Sequence, residues 1–382
     1  MLRPVAVVMA MFLTAGCDAS EGRAQRPARA VQSSTATLPT EGKTRGMNFA
    51  HAMRKGMGYG SPASLESLQE LRALHVNAIA VTPFGFQRRA DDVAILWTGS
   101  PARQGGHGIG ETDEAMHRVI AQAHGLKLRV LLKPHLWLRP PGWPGSIHHD
   151  SDAQWAEWFA AYREFIMHYA AMAEAEHVEM FCIGNELTIA SKREREWRAL
   201  IAEIRKVYRG PLTYGANLEE VFEVRFWDDL DAIGLSAYFP LSDQASPSRA
   251  TIERGWQPIA ERLGELSRRW KRRVLVTELG YSSRDYATEE PWAESGGPLN
   301  VKLQADAFAA FFQAVWPRPW CAGAYFWKWE SYPNHADRGA IEFAFEHKPA
   351  EAVIRDAFAA QESSDRHAAS DHPLTRSPTG VP

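Results

Sequence analysis

The chain has 382 residues, 43 basic and 46 acidic, and 45% of its residues are apolar. The near balance of charge, with no block rich in Lys or Arg, argues against nucleic acid as a partner. Three cysteines are too few for a disulfide scaffold.

Residues 1–17, "MLRPVAVVMAMFLTAGC", run from an early Arg3 through an apolar stretch to Thr14, Ala15, Gly16 and Cys17. That is the order of a secretory signal, and the apolar stretch is too short to span a bilayer. The "LTAGC" ending resembles the lipobox of bacterial lipoproteins. That resemblance makes Cys17 the lipidated first residue of the mature protein; cleavage without lipidation is the alternative. Asp18 resembles the signal that keeps such proteins on the inner membrane. A cell-envelope location follows, lipid-anchored on the periplasmic face of a bacterial membrane. Residues 18–44 are rich in Ala, Ser, Thr, Arg and Gly, the composition of a flexible linker. Residues 361–382 are similarly polar and read as a disordered tail. Between them, 45–360 offer about 315 residues, long for one core but ordinary for one α/β barrel.

Within 45–360 an apolar run, a loop and a stretch of helical period recur. "GMNFAH" (46–51) precedes a helix at 64–75, and "NAIAVTPFGF" (77–86) one at 111–124. "LKLRVLLKPHLWL" (126–138) precedes a long helix at 152–174. "EHVEMFCIGNEL" begins at Glu176 and leads to a helix at 193–208. "PLTYGAN" (211–217) is a weaker fifth strand, and "DAIGLSAYFPL" (231–241) a sixth before a helix at 255–270. "RRVLVTELGY" (272–281) precedes a helix at 301–315, and "AGAYFWKWE" (322–330) one at 349–358. Eight such units with continuous apolar strands predict a closed (β/α)8 TIM barrel. An open doubly wound sheet is the competing architecture, but no GxGxxG follows a strand. Cys182 and Cys321 fall on different strands and are expected as buried free thiols.

Barrel sites lie at the C-terminal ends of the strands, so the polar residues there belong together. They are Gln87, Lys133, His135, Asn185, Glu186, Tyr238, Glu278, Trp327 and Trp329. Two are carboxylic acids closing runs as apolar as "MFCIGNE" and "VLVTE", where a charge is costly without a partner or a chemical purpose. Paired carboxylates are what glycosidic cleavage requires. One protonates the leaving oxygen, and the other attacks or activates water. Environment must then push their pKa values apart.

"GNEL", "TELGY", "LKPH", "SAYFPL" and the Trp-bearing eighth strand together resemble clan A of the retaining glycoside hydrolases. The nearer resemblance is to family 113, known for endo-β-1,4-mannanases, and it spans Gly46 to Phe358. It implies Glu186 as general acid/base and Glu278 as nucleophile. By the same resemblance Asn185 would hold the sugar 2-hydroxyl, and Tyr238 would donate to the nucleophile. His135 matches the polar residue ending strand three, and Trp327 the aromatic floor under the reacting sugar. Trp329, two residues on, is expected on the same face, and Gln87 and Lys133 are carried over as hydroxyl contacts. The first-strand loop offers no match.

Plainer roles stand beside these: His135 as a strand cap and Tyr238 as barrel packing; Trp137, Trp143, Trp256 and Trp292, in or near loops, read as surface packing or as flat apolar rings that fit the faces of sugars. "HHD" at His148, His149 and Asp150 lacks metal-ligand spacing. No P-loop, HExxH or CxxC appears, and hydrolysis of this type calls for no cofactor or metal. The expectation is a monomeric, membrane-tethered retaining glycosidase acting on a β-linked polysaccharide or oligosaccharide, mannan by resemblance. Another β-glycan or an exopolysaccharide is the alternative substrate, and a non-catalytic carbohydrate-binding lipoprotein the alternative class.

Overall fold

A computed structural model of the chain describes residues 42–98, 112–139, 142–337 and 339–370. The signal, Cys17 and nearly all of the linker lie outside the described residues. Among the described residues, no helix is long and apolar enough to cross a membrane.

Eight parallel strands close a barrel in the order β1 (Thr44–Ala50), β10 (Cys321–Glu330), β9 (Val274–Leu279), β8 (Ile233–Ser236), β7 (Leu212–Asn217), β6 (Met180–Asn185), β4 (Arg129–Leu132) and β2 (Ala78–Val81). The helices around it are α1 (Pro62–Ala73), α2 (Asp113–Gly125), α3 (Asp152–Ala175), α4 (Glu194–Val207), α5 (Glu220–Glu223), α6 (Arg249–Trp270), α7 (Val301–Ala314) and α8 (Pro349–Ser370). Ser61, Thr112, Ser151, Ser248 and Asn300 start five of them by accepting an amide hydrogen three residues on. Short oxygen-bearing side chains suit that position because the first helical amides have no partner inside the helix.

The second and third predicted runs each split. Prolines at 83 and 134 end the barrel strands β2 and β4, because proline has no amide hydrogen for the ladder. The residues beyond them, β3 (Phe84–Gln87) and β5 (His135–Leu138), pair with each other as a separate two-stranded sheet. That sheet extends the wall beyond the barrel's C-terminal rim. After β7, where no helical stretch is read from the sequence, the helix is only the single turn α5.

The core has two layers. Ile79, Val81, Phe181 and Ile183 face out to the helices, where the aromatic residues of α3, α4 and α7 pack. Ala78, Ala80, Leu131, Met180, Cys182, Leu275 and Tyr325 form a smaller cluster inside the barrel. Cys182 and Cys321 are buried and unpaired.

The polar stretch from Gln361 is not loose where it is described. α8 runs on to Ser370, with Glu362 and Asp365 at 3.3 and 2.9 Å from the Arg45 guanidinium. Trp316 Nε1 donates to Gln361 Oε1 at 2.9 Å. Arg45 is only 4% exposed, so partners for a buried charge hold this segment helical.

Candidate active site

Three strands lose their regular alternation just before their C-terminal ends. β6 carries one extra residue relative to β7 between Cys182 and Asn185, β9 one relative to β8 between Val276 and Glu278, and β10 one relative to β1 between Phe326 and Trp329. An extra residue re-aims the side chains that follow it. Asn185, Glu186, Glu278 and Trp327 all stand at such places.

Glu278, at the end of β9, is 8% exposed and gripped on both oxygens. Lys133 Nζ donates to Oε2 at 2.8 Å, and the Tyr238 hydroxyl donates to Oε1 at 2.8 Å. Lys133 is fully buried and also reaches the Thr277 carbonyl at 3.3 Å. This places Lys133 on a carboxylate and not among sugar hydroxyls: a fully buried ammonium needs an anion more than a solvated ligand. β1 contributes Asn48, whose Nδ2 bridges the carbonyls of Thr277 and Tyr325 at 3.2 and 3.1 Å, tying β9 to β10 beneath Glu278.

Glu186 follows β6 in the left-handed region, φ 53°, which is uncommon outside glycine and costs on the order of 1 kcal/mol or more. Its amide donates to the Gly215 carbonyl at 2.8 Å. Burial, then repulsion from Glu278, pushes its carboxyl up to about 7. Trp143 Nε1 donates to its Oε2 at 3.2 Å and works the other way, favouring the ionised form. An indole N–H can only donate, so when Glu186 holds a proton, that proton sits on Oε1.

Asn185 is 7% exposed, with the Ser236 hydroxyl 3.5 Å from its Oδ1. His135 packs edge-on against Phe84. Burial and the Lys133 charge hold its imidazole well below its ordinary pKa, hence neutral, and its Nε2 is buried with no partner among the described residues. Trp327 is half-buried, its carbonyl and Cβ close against Gly280, two residues after Glu278. The Trp327–Lys328 peptide is cis.

Two expected members are elsewhere. Trp329 is 2% exposed and its Nε1 donates to Ser67 Oγ of α1 at 2.9 Å. The extra residue in β10 breaks the two-residue period that would have put it beside Trp327. Gln87 is 2% exposed, accepting from Trp158 Nε1 at 3.0 Å and donating to the Arg89 carbonyl at 2.8 Å. Its oxygen ties the rim sheet to α3 and its nitrogen closes a local turn, so both ends of its amide are engaged.

Trp143 is the neighbour of the acid that residue patterns did not single out. It sits in a loop, and nothing in its local sequence sets it apart from Trp137 or Trp292, which are also exposed. Trp256, grouped with them on sequence, is fully buried in α6.

Residues 47–348 match the profile of Glycoside Hydrolase Family 113. The chain belongs to that family. As a family 113 glycoside hydrolase it acts on a polysaccharide or oligosaccharide substrate. Among solved structures it is similar to a family 113 β-mannanase from Alicyclobacillus acidocaldarius in complex with ManMIm, at 29% identity and TM-score 0.75, covering 85% of this chain and 100% of that one. It is also similar to a family 113 β-1,4-mannanase in a complex structure, at 27% identity and TM-score 0.73, covering 84% and 99%. A family 5 mannosidase from Rhizomucor miehei shares the fold at 10% identity and TM-score 0.57, covering 88% and 99%. No functionally curated protein matches the sequence.

Proposed function

We propose that this family 113 hydrolase cleaves β-1,4-mannan or manno-oligosaccharides by double displacement, with Glu278 as nucleophile and Glu186 as general acid/base. The observation that carries the reading is the unequal treatment of the two carboxyls. Glu278 receives a cation and a hydroxyl donor, while burial and the facing charge hold Glu186 up to about 7. Such a pair, one proton donor and one anion, suits glycosidic cleavage, and the retaining course is taken from the resemblance to clan A. Glu186 gives its proton to the leaving oxygen as Glu278 attacks the anomeric carbon, then takes a proton from the water that releases the glycosyl-enzyme.

Asn185 would hold the 2-hydroxyl, Trp327 the face of the reacting sugar, and neutral His135 an axial hydroxyl. Mannan is favoured over other β-glycans by the similarity to β-mannanases of 27–29% identity. A panel of β-mannans, glucans and xylans tests the substrate: release from mannan is expected, and release only from another polymer would overturn it. The stereochemistry is tested by proton NMR of the first product, which should carry the β-anomer before mutarotation. The first residues belong to the same proposal: Cys17 carries a lipid that tethers the barrel to a membrane face. Cys17→Ser should free the protein from membrane fractions with activity unchanged.

A further inference from the structure

Glu220 is a buried carboxylate that the mechanism above does not use. It is 3% exposed and has no cation partner among the described residues. Its partners are donors only: the Tyr214 hydroxyl on Oε1 at 2.6 Å, and the Asn217 amide and Thr188 hydroxyl on Oε2 at 2.9 and 3.0 Å. Burying a charge this way is expensive, and an apolar side chain would pack α5 against β7 at less cost. The use of the charge lies at the far end of the chain of bonds. Tyr214 is fully buried, and its hydroxyl accepts from the Leu187 amide at 2.9 Å. Leu187 follows Glu186, whose own amide is held by Gly215. Three consecutive residues, 186 to 188, are therefore pinned to β7 and α5, at a turn that Glu186 begins in the left-handed region.

We propose that Tyr214 and Glu220 are positioning residues for Glu186. Through the Leu187 amide and the Thr188 hydroxyl they hold the left-handed turn that aims the Glu186 carboxyl, and so govern how well it protonates a leaving oxygen. The proposal rests on Glu186 being the general acid. Each link has a physical reason. A hydroxyl that donates to a carboxylate is a stronger acceptor for the amide behind it, because the two bonds polarise one another. The rigid wall of Trp197, Phe226 and Trp227 around the Tyr214 ring leaves the hydroxyl little freedom to move.

Charge acts in the same direction. The titratable groups facing Glu186 are Glu278 from β9, Tyr238 two residues past β8 and Glu220 from α5, with Lys133, just past β4, reaching the site only through Glu278. Glu278 and Glu220 both disfavour ionisation of Glu186. Replacing Glu220 by Gln removes one negative neighbour, so Glu186 should give up its proton at lower pH.

The test measures kcat/KM against pH for the full chain, on aryl β-glycosides of rising leaving-group pKa built on the sugar that the polysaccharide panel selects. Tyr214→Phe removes one hydroxyl and should lower kcat/KM about tenfold for the poorest leaving group, a part of the 10²–10⁴-fold that a general acid supplies. It should leave an activated dinitrophenyl leaving group within about twofold. Glu220→Gln should move the basic limb of the profile to lower pH. Glu186→Gln is the reference for complete loss of the acid. If Glu186→Gln is selective for poor leaving groups while Tyr214→Phe is not, and the limb of Glu220→Gln stays in place, the positioning role is overturned and the acid assignment stands. If Glu186→Gln itself loses equally on all leaving groups, the acid assignment fails and the proposal with it. Should Tyr214→Phe not fold, Thr188→Val, which removes a half-buried donor to Glu220, decides by the same ratio.

Discussion

At Glu186 the proposed proton donor also carries a stability cost. Its folded pKa of about 7 lies above the 4.5 of a free glutamic acid. Folding therefore favours the protonated form: the benefit is complete below about 4.5 and is lost as pH rises through 7. Glu186→Gln, which cannot ionise, should melt at a higher temperature than the parent at pH 8 and close to it at pH 5, by calorimetry at both pH values. A second expectation concerns the donor on Oε2. Trp143→Phe keeps the apolar ring but removes the N–H that favours the ionised form, so the basic limb of the kcat/KM profile should move to higher pH. A limb that stays in place would show that the indole does not act on the acid. The two carboxylates were legible in the sequence because each closes an apolar run where charge is unwelcome. Trp143 was not, since its meeting with Glu186 is made by a loop, and loop conformation leaves no periodic trace.

At the scale of elements, the order and type of the eight units follow from apolar periodicity, and the places where regularity fails were hidden. The breaks at prolines 83 and 134 could have been read from the residues, as a proline cannot take part in a central ladder. The extra residues in β6, β9 and β10 could not, because an apolar run buried on both faces has no alternation to disturb. Trp329 shows the cost: two residues from Trp327, it turns to Ser67 of α1 and not to the site. Close packing around β6 supplies a further expectation. A Cβ on Gly184 would lie 2.8 Å from Trp197, 2.9 Å from Tyr214 and 3.0 Å from the Tyr162 hydroxyl, all rigid rings. Gly184→Ala should destabilise the fold by about 1–3 kcal/mol, seen as a midpoint shift in urea with unchanged slope. It should also impair turnover beyond the stability loss, since Tyr214 is the ring that would have to move.

For the whole molecule, the barrel closes between its first and last strands, and α8 then reaches back to β1. No residue pattern signals this: a polar amphipathic segment looks the same whether solvated or spent on a buried charge, and Arg45 sits 317 residues from Glu362. Ending the chain at Ala360 removes both carboxylates from a guanidinium that is 4% exposed. The loss should be about 2–4 kcal/mol, below the upper range for an enclosed pair because both carboxylates are near a quarter exposed. Thermal denaturation of the shortened chain against Arg45→Met would check it, since the double change should recover part of the loss. This clasp also has a meaning in time. A ribosome delivers β1 first, yet β1 lacks its closing partner β10 until residue 330 has been made, and the anions for Arg45 until the last helix has. Nascent chains halted before α8 should thus leave β1 open to protease, and protection should arrive in one late step once residues 362–365 are free of the exit tunnel.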